Sequence, residues 1–363
     1  MIYRVIGLMS GSSLDGLDIA FIEFDESGGK WNYDIKASAC KPYTLEWRER
    51  LSNACNITAF DYLMLHVAYG KYIGDQINEF IETHQLQHQV QLIASHGHTV
   101  FHNPAQGMSN QIGDGSVIAA TTGINVVSDL RAMDIALGGQ GAPIVPIGEK
   151  LLLNEYCCFL NLGGIANISC NIKNEYVAFD VCSANRILNM LAQTTGKEYD
   201  EDGWIASRGS INEALLNQLN QLDYYKRMYP KSLDNSFGLQ EVYPIIQSYK
   251  LSVEDAMCTY AAHIVEQIAN GFISLLDTSV PHKLLVTGGG AFNKFLTHLL
   301  QEKMSNYGVG VVIPAPELIN YKEALIMGLI GILRWREEYN VLSSVTGARR
   351  DSINGAVWMG QEA

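Results

Sequence analysis

The sequence predicts an α/β protein built from two lobes of similar design. Its 363 residues amount to about two domains at roughly 150 residues each. A strand, turn and strand pattern at residues 5–24 returns at residues 157–172. After each pattern the hydrophobic period changes from two to about 3.6, and short apolar strands alternate with helices. Such alternation is typical of mostly parallel sheets covered on both faces.

The elements follow in order in each half. Both halves open with two strands joined by a short turn, and in the second half a third apolar run follows at residues 176–179. Predicted elements of the first half are strands 5–8, 17–24, 91–94 and 125–127 and helices 44–56, 59–86 and 115–122. Those of the second half are strands 157–162, 168–172, 176–179, 283–287 and 309–313 and helices 183–195, 211–222, 253–276 and 292–300.

The loop at residues 129–141 is rich in glycine and charge, which favours a domain junction there. We therefore expect an N-terminal lobe over residues 1–128 and a C-terminal lobe over residues 129–340. The tail, residues 341–363, is expected to pack back on the N-terminal lobe.

Composition narrows the class of protein. The formal charge of -13 repels a phosphate backbone, so nucleic acid is not an expected partner. No run of about 18 apolar residues is present, and the N-terminus lacks the pattern of a secretion signal. We expect a soluble cytoplasmic protein without a membrane partner. The seven cysteines contain no C-x-x-C pair, which argues against a disulfide framework or a zinc knuckle.

Three glycine-rich turns are candidate phosphate-binding sites. A Ser and Gly turn between strands, such as Met9–Ser13, can aim backbone N–H groups and hydroxyls at one anion, with Asp15 beside it to hold Mg²⁺. A glycine hairpin that only satisfies turn geometry is the alternative for any single turn. Gly163-Gly164 repeats the pattern, and Gly288-Gly289-Gly290 follows an apolar strand. Neither a P-loop nor a dinucleotide motif is present, so the three turns together favour a duplicated ATPase.

The combination resembles the superfamily of acetate and sugar kinases, heat-shock ATPases and actin, and more closely the 1,6-anhydro-N-acetylmuramic acid kinase family. The matching segments occur in the family order over nearly the whole chain. They are residues 7–16, 95–104, 111–114, 129–134, 138–143, 161–167, 179–180, 288–293, 323–324 and 346–348.

The resemblance implies an actin-like, ribonuclease H-like fold with the active site in the cleft between lobes. It implies an enzyme that opens the 1,6-anhydro ring of the sugar with water and transfers the ATP γ-phosphate to O6, with Asp180 as general base. Residues expected at ATP are Gly11, Ser12, Ser13, Leu14, Asp15, Gly16, Leu17, Asp18, Gly163, Gly164, Asn167, Gly288, Gly289, Gly290, Ala291 and Asn293, with Asp15 also at Mg²⁺. Residues expected at the sugar are His96, Thr99, Arg131, Asp134, Asn185 and Glu323.

Some positions depart from the family pattern. The family's Gly-Pro pair after the base is replaced at Cys182 and Ser183, its Thr-Gly-Arg-Glu by residues 233–236, and its glutamine by His98. These changes leave open a related anhydrosugar such as levoglucosan, or a non-catalytic ATP-binding module.

Several residues keep an alternative reading. His96, His98 and His102 have a spacing that suits a metal, although lining of the sugar cleft or a buried network is favoured. Arg131 and Asp134 either contact sugar or form an ion pair. Asp180 is either the base or the N-cap of the following helix. A homodimer is possible.

Overall fold

The computed structural model describes residues 1–360 apart from residues 12, 173–174, 230, 235 and 277–279. The chain divides into two compact units, Met1–Asn154 with Tyr321–Ala363, and Glu155–Asn320. The division therefore lies after residue 154, whereas the sequence suggested a junction after residue 128. The loop with the glycines belongs to the first unit because its backbone and side chains bond to the C-terminal tail, as described below.

The α/β class is confirmed by strands that alternate with helices along the chain. The strands are β1 (Ile2–Ser10), β2 (Gly16–Ser27), β3 (Lys30–Pro42), β4 (Leu92–Asn103), β5 (Met108–Ile112), β6 (Val126–Ser128), β7 (Cys158–Leu162), β8 (Ile165–Ile172), β9 (Glu175–Ser183), β10 (His282–Thr287), β11 (Val309–Val312) and β12 (Ala356–Trp358).

Helices cover most of each segment that the 3.6-residue period predicts as helical, and further helices occur outside those segments. They are α1 (Leu45–Ser52), α2 (Ala59–Thr83), α3 (Gly115–Thr122), α4 (Ala132–Ala136), α5 (Pro146–Leu152), α6 (Asn185–Gln193), α7 (Glu213–Asn220), α8 (Tyr243–Ser248), α9 (Val253–Ile273), α10 (Lys294–Ser305), α11 (Pro316–Trp335) and α12 (Ser343–Thr346). Among the helices that the structure describes, none has both the length and the apolar character needed to cross a membrane.

The two sheets share one strand order. The first runs β12-β6-β4-β1-β2-β3, with β5 paired to β4, and the second runs β11-β10-β7-β8-β9. In each, the opening strand pairs antiparallel with the second strand and parallel with the fourth. The second and third strands are also antiparallel. The sheets are therefore mixed and duplicated, as expected for the actin-like ATPase fold, and β5 and β12 are additions to the first.

The sequence reading missed β3. This strand lies at the edge of its sheet, and its residues alternate between apolar and polar from Trp31 to Ala39, which is the period-two pattern of a half-buried strand. Its antiparallel pairing with β2 runs from Gly16 opposite Pro42 to Ser27 opposite Lys30.

Close packing places α11 against the first sheet. A Cβ atom on Gly7 of β1 would lie 1.9 Å from the carbonyl oxygen of Ala324, so only glycine lets the strand and helix approach this closely. Ala324 is fully buried. This contact places Glu323, the preceding residue, in the same unit as the β1–β2 turn.

The C-terminal tail is tied to the first unit through Asp134. This residue is fully buried, and its carboxylate accepts hydrogen bonds from the Gly141 N–H at 2.8 Å and the Thr346 hydroxyl at 2.7 Å. Its own N–H donates to the Asn354 side chain at 2.9 Å. Further along, β12 pairs antiparallel with β6. Asp134 thus links the loop after α4 to two points of the tail.

We expect Thr346→Val to destabilise the protein by about 1–3 kcal/mol, because it leaves one oxygen of a buried carboxylate without its donor. Urea unfolding measures this free energy. Thr194→Val, at an exposed threonine, is the control and should change it by less than about 0.5 kcal/mol. Equal stability of the two variants would contradict the structural role of Asp134.

Candidate functional site

The β1–β2 turn is held from within by Asp15. Its Oδ1 accepts hydrogen bonds from the Ser13 hydroxyl at 2.6 Å and from the Gly16 N–H at 3.1 Å. Leu14 has a left-handed φ of 57°, and its N–H donates to the Gly11 carbonyl at 3.4 Å. Ser12, which the sequence places at phosphate, lies outside the described residues.

The glycines of this turn differ in what surrounds them. Among the described residues, a Cβ on Gly11 would meet only Ser13, with the closest approach 3.3 Å to its hydroxyl oxygen, so one mobile side chain and no fixed backbone limits the space there. A Cβ on Gly16 would lie 2.6 Å from the Cys40 sulfur and 2.7 Å from the Lys41 carbonyl oxygen. Leu17 is buried in the core. Gly16 and Leu17 are therefore accounted for by packing, whereas packing does not explain the glycine at residue 11.

Acidic side chains gather beside this turn. Burial, together with the negative charges of Asp15 and Glu323, raises the pKa of Asp18 to about 6. Burial also raises the pKa of Glu323, while the charges of Lys322 and Arg131 lower it. Like charges held close in a half-buried place favour a cation, which makes this a chemically reasonable neighbourhood for a divalent metal.

Arg131 and His96 form a buried pair in the first unit. The Arg131 Nε–H donates to His96 Nε2 at 2.9 Å, so the ring proton is on Nδ1, which donates to the Gly97 carbonyl at 2.9 Å. Burial and the Arg131 charge lower the pKa of His96 to about 3, so the ring is neutral at pH 7. Burial lowers the pKa of Arg131 to about 10, which still leaves it charged.

His98 ends a chain of buried hydroxyl groups. Its Nδ1 lies 3.0 Å from the Ser10 hydroxyl, which is 2.8 Å from the Tyr43 hydroxyl, itself 2.5 Å from that of Tyr69. Burial lowers the pKa of His98 to about 4. This network fixes Ser10, the last residue before the first glycine turn.

His102 and Thr99 each bond to a residue of β5. His102 Nδ1 lies 3.1 Å from the Ser109 hydroxyl, and Thr99 accepts from the Gln111 amide at 3.3 Å. Within the described part of the chain, no group of three His, Cys, Asp or Glu residues converges as a metal site. Among the described residues, Arg131 and Asp134 do not bond to each other. Arg131 bonds to His96, and Asp134 bonds to Gly141 and Thr346.

In the second unit, the β7–β8 turn is fastened to the start of α6. The Asn185 amide donates to the Leu162 carbonyl at 2.8 Å, and the Ala184 N–H donates to the Gly164 carbonyl at 2.8 Å. A Cβ on Gly163 would make a tight contact with the Ile165 carbonyl oxygen at 3.3 Å, whereas one on Gly164 would come no closer than 3.9 Å to a neighbour. The turn is thus fixed on one side and open at Gly164.

The loop after β10 also approaches Asn185. Gly288 has a φ of 82°, and a Cβ there would lie 2.3 Å from the Asn161 side chain; one on Gly290 would lie 2.7 Å from Leu162. Gly289 has only the Asn185 amide nearby, at 3.8 Å. Of the three glycines, Gly289 alone has its Cβ direction open.

The residues after this loop have structural contacts. Ala291 is buried. Gly289 and Gly290 belong to a 3₁₀ turn, Gly289–Phe292, and α10 begins only at Lys294. The glycines therefore do not form the first turn of α10. Asn293 is the N-cap of α10, where its side chain accepts from the Leu296 N–H at 2.9 Å.

Asp180 lies within β9 and not at its end. Its Oδ2 accepts from the Leu233 N–H at 2.9 Å, and among the described residues its Oδ1 accepts no hydrogen bond. Burial raises the pKa of this carboxyl. Asn167 stands opposite it on β8. The N-cap alternative is wrong, since α6 begins at Asn185 after Ala184 and has no side-chain cap.

The sequence analysis missed the residues that hold Asp180. The Tyr224 hydroxyl donates to the Asp180 carbonyl at 2.7 Å, and the Asp180 N–H donates to the Lys231 carbonyl at 3.3 Å. A Lys-Ser pair at residues 231–232 is visible in the sequence. The contact of Lys231 with Asp180 cannot be seen in the sequence, because backbone atoms of both residues make the hydrogen bond.

Comparison with known proteins gives consistent matches. A profile of the anhydro-N-acetylmuramic acid kinase family matches residues 3–360. An anhydro-N-acetylmuramic acid kinase of Sulfurimonas denitrificans is 31% identical over 97% of this chain and 98% of its own. One of Rhizorhabdus wittichii is 34% identical over 81% of this chain and 82% of its own.

Solved structures resemble the chain more distantly. The activator of the 2-hydroxyisocaproyl-CoA dehydratase from Clostridium difficile aligns with a TM-score of 0.48 and 13% identity, over 92% of this chain and 96% of that one. A ROK family glucokinase from Streptomyces griseus aligns with a TM-score of 0.41 and 13% identity, over 91% and 99%.

The family profile covers both units and every glycine turn described above. Together with the relatives that span nearly the full length, it shows that the chain belongs to the anhydro-N-acetylmuramic acid kinase family, whose members are phosphotransferases with an alcohol group as acceptor.

Proposed function

We propose that this enzyme uses ATP and water to convert 1,6-anhydro-N-acetylmuramic acid into N-acetylmuramic acid 6-phosphate. Water attacks C1 of the sugar and loses its proton to Asp180, while the C1–O6 bond breaks. O6 takes the γ-phosphate, and ADP leaves. The departing oxygen is captured by phosphorus, which reduces the need for a separate strong acid.

The geometry of the Asp180 carboxylate carries this proposal. One oxygen is held by the Leu233 N–H and the other is free among the described residues, so the free oxygen can accept a proton while the group stays oriented. The raised pKa makes the carboxylate a stronger base than an exposed aspartate. Asp134, which ties the tail to the loop after α4, instead has a donor on each oxygen.

We assign the phosphates to the glycine turns and the nucleoside to the loop at residues 288–291. Support comes from Gly164 and Gly289, where a Cβ would come no closer than 3.8 Å to a neighbour, and from Gly11, where it would press only on the Ser13 side chain among the described residues, so that a phosphate oxygen could approach the backbone. Contacts of Asp15 in the first turn and of Asn185 with the second hold the backbone of both turns in place.

The carboxylates beside the first turn fit Mg²⁺. Asp15 and Asp18 are oxygen ligands of the kind that Mg²⁺ prefers, and burial, together with the charges of Asp15 and Glu323, raises the pKa of Asp18. When bound, Mg²⁺ would neutralise charge on the phosphates.

We expect Gly289→Val and Gly11→Val to raise the dissociation constant for Mg-ATP about tenfold or more, because a side chain would occupy open backbone that phosphate or nucleoside needs. Isothermal titration calorimetry measures it. Gly310→Val is the control, since this exposed β11 residue has room for a side chain. Unchanged affinity in both folded variants would refute the assignment.

We expect Asp180→Asn to lower turnover by about 10²- to 10⁴-fold with little change in ATP binding, because the amide keeps the bond to Leu233 and cannot accept the proton. Wild-type turnover should fall as pH falls through the pKa of Asp180, which lies above the ordinary 3.8 because of burial. Full activity in the variant would remove Asp180 from the mechanism.

The identity of the sugar and the bond that water forms need separate tests. ATP consumption should be stimulated by 1,6-anhydro-N-acetylmuramic acid more than by levoglucosan. In ¹⁸O-labelled water, the label should enter the anomeric oxygen before mutarotational exchange, and label in phosphate would contradict attack at C1. Stimulation by no anhydrosugar would favour a non-catalytic ATP-binding module.

A further inference from the structure

Asp180 is held by a segment that lies far from it in sequence. We propose that Tyr224 is a positioning residue for the Asp180 carboxylate, acting with the backbone of Lys231 and Leu233. We call these three residues the strap. The proposal rests on the role of Asp180 as base and adds the group that fixes where its free oxygen points.

The strap occupies the outer side of an edge strand. β9 pairs with β8 on one side only, so its outward N–H and C=O groups would otherwise need water. At Asp180 the strap satisfies both, through the Lys231 carbonyl at 3.3 Å and the Tyr224 hydroxyl at 2.7 Å. Leu233 adds the bond to Oδ2 at 2.9 Å. Three contacts therefore fix both the backbone and the carboxylate of one residue.

Tyr224 contacts both Asp180 and Lys231. Its ring is buried and contacts the ring of Phe237 at a centroid distance of 5.4 Å. The Lys231 ammonium lies 4.7 Å from the centre of the Tyr224 ring, in a cation–π contact. The same side chain thus bonds to Asp180 at its hydroxyl and holds Lys231 over its face.

Loss of the Tyr224 hydroxyl should therefore change both the pKa of Asp180 and the orientation of its carboxylate. The Leu233 N–H lowers the pKa of Asp180 against the effect of burial. If the strap loosens, this bond weakens, the pKa rises, and the carboxylate loses its fixed direction. Both a lower turnover and a shifted acid limb of the pH profile follow.

The neighbouring residue offers a matched control. Tyr225 lies next to Tyr224 with a ring centroid distance of 5.7 Å, and its hydroxyl is buried with no hydrogen-bond partner in the described chain. Tyr225→Phe removes the same atom from the same segment without touching Asp180. It should leave turnover and the pH profile unchanged.

The experiment compares Tyr224→Phe, Tyr225→Phe and Asp180→Asn in the full-length enzyme with Mg-ATP and 1,6-anhydro-N-acetylmuramic acid. We expect Tyr224→Phe to lower kcat about tenfold, the worth of one hydrogen bond, with KM for ATP unchanged and the acid limb moved to higher pH. Thermal melting checks that each variant is folded. Should Tyr224→Phe fail to fold, Lys231→Met loosens the strap from its other end and should move kcat and the acid limb in the same directions.

The outcomes separate this proposal from the one it rests on. If Asp180→Asn is inactive and folded Tyr224→Phe matches Tyr225→Phe in kcat and pH profile, the strap does not position the base. If Asp180→Asn is fully active, the role of Asp180 fails and the strap proposal fails with it. A lower kcat in Tyr224→Phe without any shift of the acid limb would also overturn it, since general loosening gives that result.

Discussion

The antiparallel pairing of the first two strands in each unit is the constraint on which the site depends. Ser10 stands opposite Leu17 in one hairpin and Leu162 opposite Ala166 in the other, so each turn must close within a few residues. Because these short turns contain glycine, parts of their backbone are not covered by side chains. Contacts on the inner side, from Asp15 in the first turn and Asn185 in the second, keep that backbone fixed.

Aspartates in this protein show how surroundings assign roles to one residue type. Asp134 is fully buried with a donor on each oxygen, and these bonds tie the tail to the loop. Burial, together with the charges of nearby carboxylates, raises the pKa of Asp18 to about 6, and those charges favour a cation nearby. Asp180 has one oxygen held and one free, which suits a base. A donor on each oxygen separates Asp134 from the other two, and the neighbouring carboxylates separate Asp18 from Asp180.

Much of the fold could be predicted because strand and helix periods are local properties. The repeated hairpin, α2 and α9 follow from apolar spacing, and the duplication follows from the repeated turn. The edge strand β3 was missed although its residues alternate between apolar and polar from Trp31 to Ala39, which is a local signal of a strand. The domain boundary differed for a non-local reason: the loop at residues 129–141 resembles a linker in composition, yet its backbone bonds to the tail.

The sequence by itself determined the α/β class, the duplicated hairpins, the glycine turns and the candidate base. Only the tertiary structure decided that Asp134 ties the tail, that Asn293 caps a helix, and that one oxygen of Asp180 is held. The contacts responsible join residues 53 positions apart at Asp180 and 212 apart at Asp134. Several are made by backbone atoms, which every residue carries. No local pattern of side chains can therefore report them, and they exist only once the chain has folded.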